Sequence, residues 1–115
     1  MAILNVGLQR FAARHNQDVD EVDWGDSTVP NNVTMTGVQS PITEAEGLSI
    51  KKTQSTFSNQ FTATLNSVTA VDEEPSEISF GNDTIKYDRT VFPKLLHTGN
   101  DEVVIIKTYM YERGN

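Results

Sequence analysis

Ile78-Ser79-Phe80-Gly81-Asn82-Asp83-Thr84-Ile85-Lys86-Tyr87 reads as a β-hairpin: two short strands alternate apolar and polar side chains around Gly81-Asn82-Asp83. Glycine and asparagine accept the positive φ that a tight turn requires, so the sequence itself specifies the reversal. Working outward, the same period of two recurs on both sides. Val33 and Met35 lead the series, Leu48 and Ile50 share a face, and Phe57, Phe61, Ala63 and Leu65 share another against Thr62 and Thr64. The last runs read as two antiparallel strands joined near Gln54 to Ser58.

On the C-terminal side, Val91 to Leu96 fits either a strand or a helical turn interrupted by Pro93, and His97-Thr-Gly-Asn-Asp is a turn. Val103 to Tyr111 carries apolar residues on both faces. That pattern fits a central strand covered on each side, or one completed by a partner. Asp72-Glu-Glu-Pro75 interrupts the alternation as a solvated loop does. The expected fold is mainly β, a small antiparallel β-barrel or sandwich with a short N-terminal helix and a long inter-strand loop.

Before Val33 the pattern differs. Ile3, Leu8, Phe11 and Ala12 mark a short amphipathic helix, with Asn5 as its N-cap and Arg10 and Arg14 suited to its C-terminus. Asp18-Val-Asp-Glu-Val-Asp-Trp-Gly-Asp26 is acidic and leads into the turn-forming Thr28-Val-Pro-Asn-Asn32. One domain spans 1–115: a helix over 1–15, an acidic linker over 16–32 and a β domain over 33–112.

With 115 residues the chain is long enough to bury one core. It has no cysteine, which removes disulfides and thiolate metal sites. No signal-like apolar run follows the N-terminus, and Val103 to Ile106, the longest apolar stretch, is too short to span a bilayer; neither export nor membrane insertion is expected. A net charge of −7, with Lys51-Lys52 the only adjacent basic pair, argues against a protein that grips phosphate.

A search for chemistry finds little. Asp18 to Asp26 fails the calcium-loop pattern, which needs a ligand where Val22 sits and glycine where Asp23 sits. His15 and His97 have no Gly-x-Ser-x-Gly or triad framing. Asn32-Val-Thr and Asn82-Asp-Thr match a glycosylation acceptor but read as turns. No phosphate loop or dinucleotide fingerprint is present, so the expectation is a non-enzyme with no catalytic, cofactor or metal residues. Most aromatics belong to the core of a small β domain. Trp24, set among acids, reads either as core or as a partner-facing anchor.

The order of elements resembles the small head–tail joining proteins of tailed bacteriophages. The likeness is carried by Ile78-Ser-Phe-Gly-Asn-Asp-Thr-Ile-Lys-Tyr87, similar to that family's strand, Gly-Asp turn and strand ending in an aromatic, and by Val103-Val-Ile-Ile106 as a last strand. Here Gly81-Asn82-Asp83 replaces the more usual Gly-Asp. The resemblance implies a virion subunit, assembled in the host cytoplasm, that forms a ring with copies of itself between portal or adaptor and tail. It implies no sequence-specific nucleic-acid binding, and acidic walls would let DNA pass. The expected contact segment is Thr36 to Gln54, with partner-binding candidates Trp24, Asp26, Pro41, Ile42, Glu44, Leu48, Lys51, Lys52, Tyr109 and Tyr111. Two rivals stand beside it. Leu48 to Leu65 resembles the RNA-facing strand pair of small RNA phage coats, which would add two C-terminal helices; a small-molecule-binding β-barrel would need a deep apolar pocket.

Overall fold

The computed structural model describes residues 4–111. The fold is mainly β, with one helix and two antiparallel sheets that share a core; neither sheet closes on itself. In chain order the elements are α1 (Asn5–Asp18), β1 (Glu21–Gly25), a 3₁₀ turn (Thr43–Ala45), β2 (Leu48–Ser49), β3 (Lys51–Ser55), β4 (Ser58–Leu65), β5 (Glu77–Gly81), β6 (Thr90–Val91) and β7 (Val103–Met110).

The first sheet runs β2-β1-β5-β6. β1 alternates: Val22 and Trp24 point into the core, while Glu21 and Asp23 face outward and meet the Lys86 ammonium at 2.8 and 3.5 Å. Val22 lies opposite Phe80 of β5, and Trp24 opposite Ile78. Every residue of β5 is buried, because Ile78 and Phe80 face the core and a loop over residues 26–40 covers the face that carries Glu77 and Ser79.

Beyond Gly81 the chain reverses, with Asn82 N–H donating to the Ile85 carbonyl at 2.8 Å and Tyr87 N–H to the Phe80 carbonyl at 2.9 Å. Gly81 pairs with Lys86 but Ile78 pairs with Thr90, so the returning strand holds one extra residue. Asp88 fills that bulge, its Oδ1 accepting the Phe80 N–H at 3.1 Å where a facing carbonyl would otherwise serve.

The second sheet runs β3-β4-β7. β3 and β4 form a hairpin through Thr56-Phe57, and β7 pairs with β4 along its whole length, from Ser58 opposite Met110 to Leu65 opposite Val103. Asn59, Phe61, Ala63 and Leu65 of β4 point inward, and the Phe61 ring meets Phe80 of the other sheet with centroids 6.0 Å apart. Trp24 packs edge-on against Phe92 at 6.4 Å. Removing either buried aromatic would cost about 3–5 kcal/mol by leaving a cavity. α1 lies on β3 and β4 through Leu8 and Ala12, and its last turn is fixed by Asn59, whose Nδ2 donates to the Ala12 carbonyl at 2.7 Å while its Oδ1 accepts from Asn16 at 3.0 Å.

Several expectations are corrected here. The helix runs Asn5–Asp18, with Leu4 rather than Asn5 at its N-cap. The segment read as an acidic linker contains β1, an interior strand flanked by β2 and β5. Val33 and Met35 begin no strand: they lie in the loop over β5, where the Asn32 side chain takes the Thr34 N–H in a local turn. Leu48 and Ile50 are not one strand either, because the chain leaves the first sheet after Ser49 and enters the second at Lys51. Thr36 to Gln54 is therefore a succession of docked pieces. Val91 to Leu96 gives only the short strand β6 before turning irregular, and β7 is an edge strand where a central one covered on both faces was an alternative.

Candidate functional site

The second sheet has two rims, β3 and β7, and the outer edge of β7 is the longer of them. Tyr111 N–H donates to the Phe57 carbonyl at 2.9 Å, so odd-numbered residues of β7 turn their amides and carbonyls toward β4. The N–H and C=O groups of Val104, Ile106, Thr108 and Met110 then point away from the sheet, and among the described residues no hydrogen bond reaches them. Their side chains share the outward face, with Val104 50%, Ile106 58% and Met110 70% exposed. The single charge of the strand, Lys107, points to the opposite face, where its ammonium donates to Thr90 Oγ1 at 3.0 Å and lies 5.8 Å from the Tyr109 ring centroid. An edge this long, free of proline and carrying apolar residues, is a template for another strand.

The ten residues expected to bind partners do not converge. Trp24 and Ile42 are buried in the core, and Leu48 and Tyr109 pack against it. Tyr111 is half-buried, its hydroxyl accepting the Asn59 Nδ2–H at 2.8 Å. Asp26 is half-buried and its amide donates to the Ser40 carbonyl at 2.9 Å. Pro41, Glu44, Lys51 and Lys52 are exposed; Glu44 accepts the Ala70 N–H at 3.2 Å, and Lys52 donates to the Asn16 carbonyl at 2.6 Å. Trp24 lies inside the core and Tyr109 against it, because burying a ring is worth more to a small core than exposing it. The exposed Val104, Ile106 and Met110 were not among the expected residues, although the apolar residues on both faces of this strand were the available signal.

Two polar clusters lie away from that edge. Glu77 is wholly buried yet satisfied: Oε1 accepts from Gln39 N–H at 2.6 Å and Arg89 Nε–H at 2.8 Å, and Oε2 accepts from the amides of Ser27 at 2.8 Å and Ser40 at 2.9 Å. Burial alone would raise its pKa, but Arg89 and the three amides outweigh that and hold it below the usual carboxylate value. Arg89 also donates through Nη1 to the Val29 carbonyl and Asn31 Oδ1, each at 2.8 Å, which ties down the loop over β5. The arrangement is a clamp.

The second cluster surrounds His15, whose ring is edge-on to Phe61, Tyr87, Tyr109 and Tyr111 at centroid distances of 4.7 to 5.8 Å. Its Nδ1 bonds to the Tyr111 hydroxyl, and its Nε2 is buried without a partner among the described residues, as are Tyr109 Oη and Asp88 Oδ2. Burial lowers the His15 pKa against the opposing charges of Asp88 and Asp18, and burial raises that of Asp88. A shallow apolar notch of about 370 Å³ opens beside it, lined by Phe11, Tyr87 and Tyr109. His97 is buried with both ring nitrogens on carbonyls, Ala70 at 3.1 Å and Asp101 at 3.0 Å, and so joins two loops. Among the described residues no three metal-ligating side chains assemble, and no helix is long and apolar enough to cross a membrane.

Comparison with known proteins finds no matching family model, no matching curated protein and no matching solved structure. The functional reading therefore rests on surface and charge.

Proposed function

We propose that the protein is a structural subunit of the head–tail joining kind, which acts by protein–protein contacts in a ring between portal and tail. The observation that supports this reading is the outer edge of β7, where free backbone groups and exposed Val104, Ile106 and Met110 lie on one strand. Edge-strand addition joins subunits without a reactive site, because main-chain hydrogen bonds supply affinity and alternate side chains supply selectivity. The net charge of −7 fits a wall that DNA passes without being held. β7 stands where a small RNA phage coat would place helix, and the surface clefts are open grooves, which weighs against the two rival readings.

The test is to mix the purified chain with a candidate portal or tail-less particles and to image and size the product. Entry into a ring at the portal is the expected result. A chain that stays free at every stoichiometry, and is missing from finished particles, overturns the reading.

A further inference from the structure

We propose that β7 docks on β7 of a second copy: the two strands pair antiparallel about a two-fold axis through Ile106, and the two three-stranded sheets become one continuous sheet. This rests on the assembly reading and goes beyond it by naming the occupant of the edge and its register.

The register follows from three constraints. First, among the described residues Val104, Ile106, Thr108 and Met110 have backbone groups free on the outer edge of β7, so an even-numbered residue must face an even-numbered one for hydrogen bonds to be exchanged. A two-fold axis through a residue keeps them matched; an axis between residues would set a free residue against one already bonded to β4, and would also place apolar side chains opposite the wrong face. Second, the axis must use most of the strand. An axis through Ile106 overlaps Val103 with Tyr109 of the partner and brings Glu102 only to the end of the ladder, opposite Met110, whereas one through Ile105 draws Glu102 further in and adds Asp101. Third, an axis through Lys107 would set two ammonium groups face to face, and like charges directly opposite destabilise a ladder.

With the axis on Ile106, Ile106 lies on its own copy and Val104 lies on Thr108. The exposed apolar residues of both copies merge into one stripe, and Lys107 faces Ile105 with its ammonium still directed to Thr90. The charge distribution favours the same contact. The chain carries 16 acidic residues, yet none lies between Val103 and Tyr111, so the strand best shaped for pairing is also the one where two copies of a −7 protein do not repel. An isologous contact of this kind is closed: it consumes the β7 edge of both partners and leaves the β3 rims open, so a ring would join such pairs through other surfaces.

The experiment uses the whole chain. Sedimentation across a concentration series should show a species of twice the 12.8 kDa mass, and Ile106→Lys should weaken that dimer by at least about tenfold while circular dichroism stays unchanged. Thr53→Lys, on the exposed strand at the opposite end of the sheet, should leave the dimer intact. Because the chain has no cysteine, Ile106→Cys supplies the sole thiol, and the roughly 5.5 Å Cα separation of a hydrogen-bonded pair lies within disulfide reach. Oxidation should give a covalent dimer from Ile106→Cys. A chain that remains monomeric at all concentrations overturns the proposal, and so does efficient cross-linking of Lys107→Cys with none at Ile106→Cys. The two readings fail separately: a β7-linked dimer that enters no ring removes only the head–tail assignment, and a ring whose subunits do not cross-link at Ile106 removes only the pairing.

Discussion

Glu77 Oε1 accepts the Nε–H of Arg89 at 2.8 Å in a site where the Glu77 side chain is wholly buried and that of Arg89 is 4% exposed. Taking away one partner of such a pair strands a charge away from water. Arg89→Met is expected to lower stability by about 3–5 kcal/mol in a urea titration. It should also make the loop over residues 26–40 newly sensitive to limited proteolysis, since Arg89 holds Val29 and Asn31 there. A variant as stable as the parent would show that the clamp contributes nothing.

The same carboxylate sets an acid limit. The folded-state pKa of Glu77 lies below the ordinary value of 4.5, so the unfolded chain takes up the proton first as pH falls. The stability it contributes is complete above 4.5 and is lost as pH drops through the folded value. Thermal midpoints measured downward from pH 5 should fall, and Glu77→Gln should flatten that slope.

His15 and Asp88 act in opposite senses. His15 is held below 6.5, so its contribution is present above that pH and declines as acid is added. Asp88 is held above 3.8, so its contribution is present at low pH and is lost as pH rises through the folded value. Asp88→Asn keeps an oxygen for the Phe80 N–H and removes the buried charge; its melting temperature at pH 8 should equal or exceed the parent's. A clear drop at pH 8 would show that the ionised form is needed.

Two glycines are fixed by close approach. A Cβ at Gly25 would come within 2.7 Å of the Ser40 carbonyl and against the Glu77 carboxylate, and one at Gly81 would lie 2.7 Å from the Lys86 Cα. Alanine at either site should cost about 1–3 kcal/mol by overpacking. Gly37→Ala meets only the flexible Lys86 Cγ at 3.4 Å, and denaturant midpoints should rank it nearest the parent.

Asp72 adopts φ of 68°, with its N–H on the His97 carbonyl at 2.6 Å. A β-branched side chain is strained in that region, so Asp72→Val should lose about 1–2 kcal/mol, whereas Asp72→Gly should stay within about 0.5 kcal/mol of the parent. Equal stability of the two variants would contradict the backbone assignment.

How much of this was legible depended on where the deciding partner lies in the chain. The reversal after Gly81 and the β3–β4 hairpin were readable from local chemistry, but no residue of Gly81-Asn82-Asp83 adopts positive φ, the Asn82 Oδ1 accepts the amides of Thr84 and Ile85 instead, and Ile85 to Tyr87 forms no strand beyond the bridge at Lys86. β1 was not, although Val22 and Trp24 alternate with Glu21 and Asp23: two apolar positions among acids look like a solvated segment until Lys86, far along the sequence, neutralises them. Val33 and Met35 misled in the reverse direction, since a brief alternation has no strand to pair with. β7 showed its alternation plainly, but its place at the rim is a property of strand order, which depends on pairings between distant segments. The candidate site was obscured for the same reason.

The crossing at Ile50, where neighbouring residues enter different sheets, has a consequence for folding kinetics. β1 must wait for β5, more than fifty positions later, and β4 must wait for β7, so each sheet is closed by contacts between distant segments, which slows its formation. Until β7 docks, β4 lacks one neighbour and the shared core stays open on that side.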